Sequence, residues 1–211
     1  MGANEHWEAV YGTKSTTEVS WFQREARVSL DLITRVAPDL GSAIIDVGGG
    51  ASTLVDGLVS RGYRNVAVLD IAPAALEAAR TRLGLAADSV CWVAADALVH
   101  SFLPHSVDVW HDRATFHFLT SPEDRREYVA QVVRAVRPNG HVIVATFAAD
   151  GPTRCSGLDV CRYGPELLHD EFGSSFEMLA HVREEHVTPS GVRQWFQYCL
   201  FAFRPARCAA A

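Results

Sequence analysis

Three acids and a run of glycines are the residues of this chain best suited by type and spacing to do chemistry. Ile45-Asp46-Val47-Gly48-Gly49-Gly50-Ala51-Ser52 leads from an apolar run into an amphipathic one. Glycine lets the backbone bend sharply and lets a ligand approach where a β-carbon would collide. Asp70 ends the next apolar run, roughly 20 residues beyond Gly50, the spacing at which an acid accepts from both hydroxyls of an adenosine ribose. Thr53 stands where a dinucleotide fingerprint wants its third glycine, so a pyrophosphate seat is less well specified. A third acid, Asp96, follows the third apolar run. His111-Asp112-Arg113 and His117 follow the fourth, with His111 the residue to test first, as a base or as a hydrogen-bonding group beside the ligand.

These residues need a scaffold, and the chain spells one out. Short apolar runs at 43–47, 65–70, 90–94, 107–111 and 140–147 read as strands covered on both faces. Helical patterns lie between them, the pattern of a parallel sheet wrapped by helices. Pro73 opens one helix, and Ser121-Pro122-Glu123-Asp124 opens another with a cap, a proline and two acids. Arg137-Pro138-Asn139-Gly140 reads as the turn into the fifth strand. After a short helix from Pro165 to about Phe172, residues 176–188 and 192–203 alternate around Pro189-Ser190-Gly191 as an antiparallel hairpin ending the sheet. Residues 4–11 and 22–37 look helical and carry Trp7, Tyr11, Trp21 and Phe22 ahead of the core.

The chain has 211 residues, enough for one sizeable core, and no stretch reads as a linker. A single domain over 1–211 is expected, with a helical lid segment at 1–40 and a Rossmann-like core at 41–203. Net charge is −6 and the only lysine is Lys14, so no basic stripe exists and a nucleic-acid partner is disfavoured. Five cysteines (Cys91, Cys155, Cys161, Cys199, Cys208) without CxxC pairing favour a reducing compartment over a disulfide framework, and no metal ligand set is expected. No apolar run approaches the ~20 residues that span a bilayer, so a soluble, cytoplasmic protein is expected.

Asp46-Val47-Gly48-Gly49-Gly50 resembles the first motif of the class I S-adenosylmethionine-dependent methyltransferases, of the bacterial small-molecule type. Leu69-Asp70-Ile71 resembles the second motif, Ala95-Asp96-Ala97 the third, Val107 to Asp112 the fourth strand, and Arg137 to Gly140 the turn before the fifth. The resemblance implies a three-layer α/β sandwich with a seven-stranded, mostly parallel sheet whose last strand is antiparallel. It implies S-adenosylmethionine as cofactor and S-adenosylhomocysteine as product. On the same likeness Asp46, Gly48, Gly49, Gly50 and Ser52 flank the methionine part, Asp70 and Ile71 the ribose and adenine, and Asp96 and Ala97 the adenine edge. His111 borders both cofactor and acceptor. Tyr11 and Trp21, in a segment that folds over the cofactor in several branches of the family, are expected to line the pocket, where aromatic faces favour a sulfonium.

The acceptor is expected to be a small molecule, methylated on sulfur or nitrogen. The Trp7, Trp21 and Asp112-Arg113 layout is faintly similar to thiopurine and halide/thiol methyltransferases. His6-Trp7-Glu8-Ala9-Val10-Tyr11 is similar to bacterial relatives of protein-lysine methyltransferases, which keeps a protein acceptor open. The reading from another class is an NAD(P)-dependent oxidoreductase, against which the missing third glycine and the terminal hairpin count. Asp112 and Arg113 are expected to form a structural ion pair, and His117 to be a packed histidine. Cys155 and Cys161 sit in an insert that could shape the acceptor site. Oligomeric state has no sequence signal.

Overall fold

A computed structural model describes residues 2–13 and 15–205; Lys14, Cys208 and the alanine tail lie outside the described residues. The five apolar runs form β1 (Ile44–Val47), β2 (Val66–Asp70), β3 (Val90–Ala94), β4 (Val107–Arg113) and β5 (Val136–Phe147). Two-residue strands β6 (Arg154–Cys155) and β7 (Leu158–Asp159) pair with each other, and β8 (Phe176–Val187) and β9 (Arg193–Phe203) complete the main sheet. Its order is β3-β2-β1-β4-β5-β9-β8. β1 to β5 are mutually parallel; β9 runs antiparallel to both neighbours. The seven-stranded, mostly parallel sheet is therefore as expected, with the last strand of the sheet in chain order set inside it and β8 at the edge.

Helices α1 (Ala3–Thr13), α2 (Arg27–Val36), α3 (Leu54–Ser60), α4 (Pro73–Leu83), α5 (Pro122–Ala135) and α6 (Pro165–Phe172) complete the frame. Alternation along the strands sends side chains to two cores. Ile143 packs with Leu30, Ile33, Leu54 and Leu58 of α2 and α3. Its neighbours Val142 and Val144 pack with Tyr128, Val132, Leu168 and Phe172 of α5 and α6. α5 starts where the sequence signals it: the Ser121 hydroxyl accepts from the Glu123 and Asp124 N–H groups. The Arg137–Gly140 turn is a bulge inside β5. Register against β4 jumps from Val107↔Val136 to Val109↔His141, with Asn139 left-handed at φ 68°.

Two expectations need correction. The helix expected over 22–37 begins only at Arg27, because residues 19–23 form a strap pinned from outside by side chains. The Ser20 carbonyl accepts from His186 Nε2 at 2.7 Å, and the Trp21 carbonyl from Arg113 Nη1 at 3.1 Å. Nor do Asp112 and Arg113 pair. Successive strand residues face opposite sides of the sheet, so Asp112 turns to Tyr128 on α5 while Arg113 reaches Tyr198 and Glu184 on the β8–β9 side.

Candidate active site

The glycine turn leaves β1 at the carboxyl edge of the sheet, where open parallel sheets receive ligands. Gly48 and Gly50 are left-handed at φ 65° and 46°. A β-carbon on Gly48 would overlap the Thr115 hydroxyl, and one on Gly50 would come within 2.9 Å of both Asp70 Oδ2 and the Tyr11 hydroxyl. Glycine is needed here for conformation and for room.

A cavity of about 300 Å³ opens beside this turn. One side is lined by Gly48, Leu69, Asp70, Ile71, Asp96, Ala97 and Leu98. Asp70 ends β2, is 7% exposed, and its Oδ1 accepts from the Ala72 N–H at 2.8 Å. Burial is the main reason its carboxyl is pushed up to about 7. Asp96 Oδ1 accepts from the Leu98 N–H at 2.9 Å, which fixes the turn after β3.

The other side is aromatic. Trp7 and Tyr11 of α1, Trp21 of the strap and Phe118 line the cavity. Trp7 meets Trp21 edge-to-face at 5.7 Å between ring centroids and Phe118 at 5.0 Å; Tyr11 meets Trp21 at 6.2 Å. Burial, with Asp70 nearby, raises the Tyr11 hydroxyl well above its ordinary value, so it stays protonated as a donor. α1 is tied down by Glu8 Oε1, which accepts from the Ala74 N–H at 3.0 Å. α4 has no side-chain cap of its own, so Glu8 takes that place. Thr115, Leu119, Asp124, Tyr128, Cys155 and Leu158 complete the wall.

Asp46 and His111 lie deeper, beneath the turn, where a space of about 40 Å³ is also lined by Gly49 and Ser52. His111 is 2% exposed, with Nδ1 2.7 Å from Asp46 Oδ1 and Nε2 2.8 Å from Ser29 Oγ. A carboxylate only accepts, so Nδ1 carries the proton. Both ring nitrogens are engaged, and His111 does not line the larger cavity. Of its two expected roles, the geometry gives it the hydrogen-bonding one. Asp112 accepts from Tyr128 Oη and from the Thr115 and Phe116 N–H groups, which sets the loop that carries Thr115. His117 is fully buried against Phe118 and Phe147, and burial pushes it down to about 3, so it is a neutral packed ring.

The larger cavity thus gathers Tyr11, Trp21, Gly48, Asp70, Ile71, Asp96 and Ala97 among the predicted residues; Asp46, Gly49, Ser52 and His111 line the smaller space, and Gly50 holds the turn between them. Sequence reasoning missed Asp124 and Tyr128 and gave Arg113 the wrong partner. Their signal was weak, since Asp124 and Tyr128 depend on how α5 packs on β4, and Arg113 on partners from the β8–β9 side. Among the described residues no group of three or more His, Cys, Asp or Glu could hold a metal, and no helix is long and apolar enough to cross a membrane.

Residues 44–140 match a protein family described as a methyltransferase domain, and that stretch contains the glycine turn, Asp70, Asp96 and β4. Over that stretch the chain is similar to S-adenosylmethionine-dependent methyltransferases. S-adenosylmethionine is the cofactor the site implies, and the site fits it: the bare backbone of Gly48 and the buried Asp70 carboxylate both line the cavity. Similar proteins include the ubiquinone/menaquinone biosynthesis C-methyltransferase UbiE of Roseobacter denitrificans, 30% identical over 116 residues. That match covers 54% of this chain and 45% of the relative, so it spans less than half of that protein. EEF1A lysine methyltransferase 2 of Homo sapiens is 24% identical over 206 residues, covering 90% of this chain and 78% of the relative. The structure of Burkholderia thailandensis 1,6-didemethyltoxoflavin-N1-methyltransferase, with bound 1,6-didemethyltoxoflavin and S-adenosylhomocysteine, superposes with a TM-score of 0.66. It shares 16% identity and covers 96% of this chain and 84% of that one, which shows a common fold.

Proposed function

We propose that the protein transfers the methyl group of S-adenosylmethionine to a small-molecule acceptor, on nitrogen or sulfur. The observation that carries this reading is the aromatic wall of Trp7, Tyr11, Trp21 and Phe118 closing over the glycine turn and Asp70. Bound there, the cofactor supplies an already activated methyl on a sulfonium. Asp70 holds the ribose hydroxyls, Ile71 and Ala97 flank the adenine, and Asp96 accepts from its edge. Asp46, Gly48 and Gly49 hold the methionine part, with Ser52 beside them, and His111 fixes the Asp46 carboxylate. The four rings exclude water and favour positive charge in the cavity, and α1 restricts the acceptor to what fits beneath it. Asp124, exposed and lining the cavity, is the carboxylate proposed to take a proton from an amine acceptor.

A second reading, a protein lysine as acceptor, is favoured by the similarity to EEF1A lysine methyltransferase 2 along 90% of the chain. One experiment separates the two. The purified protein is incubated with methyl-labelled S-adenosylmethionine and a cell extract split into small-molecule and protein fractions, with Asp70→Ala as control. Label in the small-molecule fraction supports the first reading and label confined to protein supports the second. Label in neither sinks both.

A further inference from the structure

Three carboxylates line the larger cavity: Asp70, Asp96 and Asp124. Asp70 and Asp96 accept from backbone N–H groups, and Asp124 is exposed. Among the described residues none of the three is in an ion pair. Arg113 is the one cationic side chain among the described lining residues, and its charge is already met. Glu184 Oε2 lies 3.8 Å from Arg113 Nη2, and the two side chains are only 14% and 10% exposed. Even with Asp70 partly protonated near neutral pH, the lining carries excess negative charge. The contacts proposed above set Asp70 and Asp96 against ribose hydroxyls and the adenine edge, which are neutral, so the sulfonium alone offsets that excess. The rings of Trp7, Tyr11, Trp21 and Phe118 add to the same field, because aromatic faces are negative.

We infer that the acceptor enters this cavity as an alkylammonium cation, met by the Asp124 carboxylate and the aromatic wall. The inference rests on the methyltransferase reading and narrows its acceptor to a basic aliphatic amine, whether a free molecule or a lysine side chain. A carboxylate or phosphate would be repelled. A thiol would be held protonated, since nearby negative charge raises its pKa and the thiolate is the nucleophile. An ammonium must shed a proton before its nitrogen can react. Exclusion of water by the rings and the like charge of the sulfonium both favour the neutral amine. In the transfer one N–H proton goes to Asp124, which is exposed and passes it to solvent. The nitrogen lone pair forms the bond to the methyl carbon, and the carbon–sulfur electron pair stays on sulfur.

The test is calorimetric binding to the full chain saturated with S-adenosylhomocysteine, using probes of similar shape and different charge. These are 2-phenylethylamine, 2-phenylethanol, 2-phenylethanethiol and 3-phenylpropanoate. The amine is expected to bind at least tenfold more tightly than the other three. Asp124→Asn is expected to weaken the amine about three- to tenfold, to leave the alcohol within twofold, and to reduce the salt dependence of amine binding. Asp124→Glu should restore most of that loss. Glu123→Gln removes the same charge from the neighbouring residue, outside the cavity lining, and should leave the amine within twofold. A blocked glycyl-lysyl-glycine peptide tells the two sources apart: tighter binding than the free amine assigns the ammonium to a protein, weaker binding to a small molecule. Alcohol, thiol or carboxylate bound as tightly as the amine overturns the inference. So do equal losses of amine and alcohol in Asp124→Asn, and so does protein that holds S-adenosylhomocysteine but binds no probe. Protein that does not bind S-adenosylhomocysteine overturns the methyltransferase reading, and the inference with it.

Discussion

Asp46 on β1 and His111 on β4 are register partners across adjacent parallel strands, and their side chains meet at 2.7 Å on the face covered by α2. Ser29 of α2 closes the chain from the other side of the ring. This trio works as a brace for the Asp46 carboxylate. His111→Asn is expected to weaken cofactor binding about tenfold, in the range of one lost hydrogen bond to a charged group, and to lower the melting temperature. Turnover at saturating cofactor should change little. A base role predicts the reverse, turnover slowed by about two orders of magnitude or more at unchanged affinity. Single-turnover kinetics with a known acceptor decides between them.

The proposed contact between Asp70 and the ribose would make cofactor affinity depend on pH. Its carboxyl titrates near 7 in the free protein, and the ionised form is the better acceptor for two ribose hydroxyls. S-adenosylhomocysteine should therefore bind more tightly as pH rises from 6 to 8 and level off above that. Asp70→Asn should flatten this profile and cost roughly 30- to 100-fold in affinity, about 2–3 kcal/mol. Stability of the free protein runs the opposite way. Asp70 is raised relative to the unfolded chain, as is buried Asp112, pushed up to about 6. Their contribution is full below the ordinary carboxyl pKa and is lost as pH climbs through 6 and 7. Thermal melts from pH 4 to 8 without ligand should show a decline that is smaller in Asp70→Asn.

Gly48→Ala tests the close approach at the turn. A β-carbon there meets Thr115 and adds a left-handed backbone penalty. Together these are expected to cost about 2–4 kcal/mol. Placing the same change in a Thr115→Ala background removes most of the collision and leaves about 1–2 kcal/mol of backbone strain. Denaturant midpoints of the two single variants and the double variant give the coupling directly. Strict additivity would contradict the contact.

Glu8→Ala should loosen the lid at its anchor. Losing a cap on α4 is worth about 1 kcal/mol of stability. The stronger effect is expected on the acceptor, whose KM should rise about three- to tenfold while turnover of bound acceptor falls less. Glu8→Gln keeps an oxygen for the Ala74 N–H and should restore most of both. If KM for the acceptor is untouched by Glu8→Ala, α1 does not cover the acceptor site.

The frame was legible because local signals and tertiary needs agreed. The five apolar runs became strands of the sheet, and Ser121-Pro122 capped the helix it announced. Misreadings fell where distant partners decide. Residues 22–26 carry an apolar pattern fit for a helix, yet the strap before α2 spends its backbone carbonyls on Arg113 and His186, contacts no local window contains. Arg113 follows Asp112 in sequence, but the pleat parts them and gives each a partner from a different core. The β6–β7 hairpin did carry a local sign. Ser156 and Gly157 are both left-handed, at φ 51° and 82°, the pair a tight two-residue hairpin turn needs. Within the site, Gly48, Asp70 and Asp96 follow from chain-local motifs, whereas the aromatic wall depends on how α1 lies over α4.

The position of β9 between β5 and β8 governs the order in which the molecule can be assembled. β8 is synthesised first but has no partner in the sheet until β9 arrives, so the outer side of β5 and the whole of β8 stay unpaired in the growing polypeptide. Two bare strand edges at once invite wrong pairing with other copies. A nascent chain halted before residue 193 should hold strands β1 to β5 beside an unfinished flank, and chaperone demand should peak in that interval.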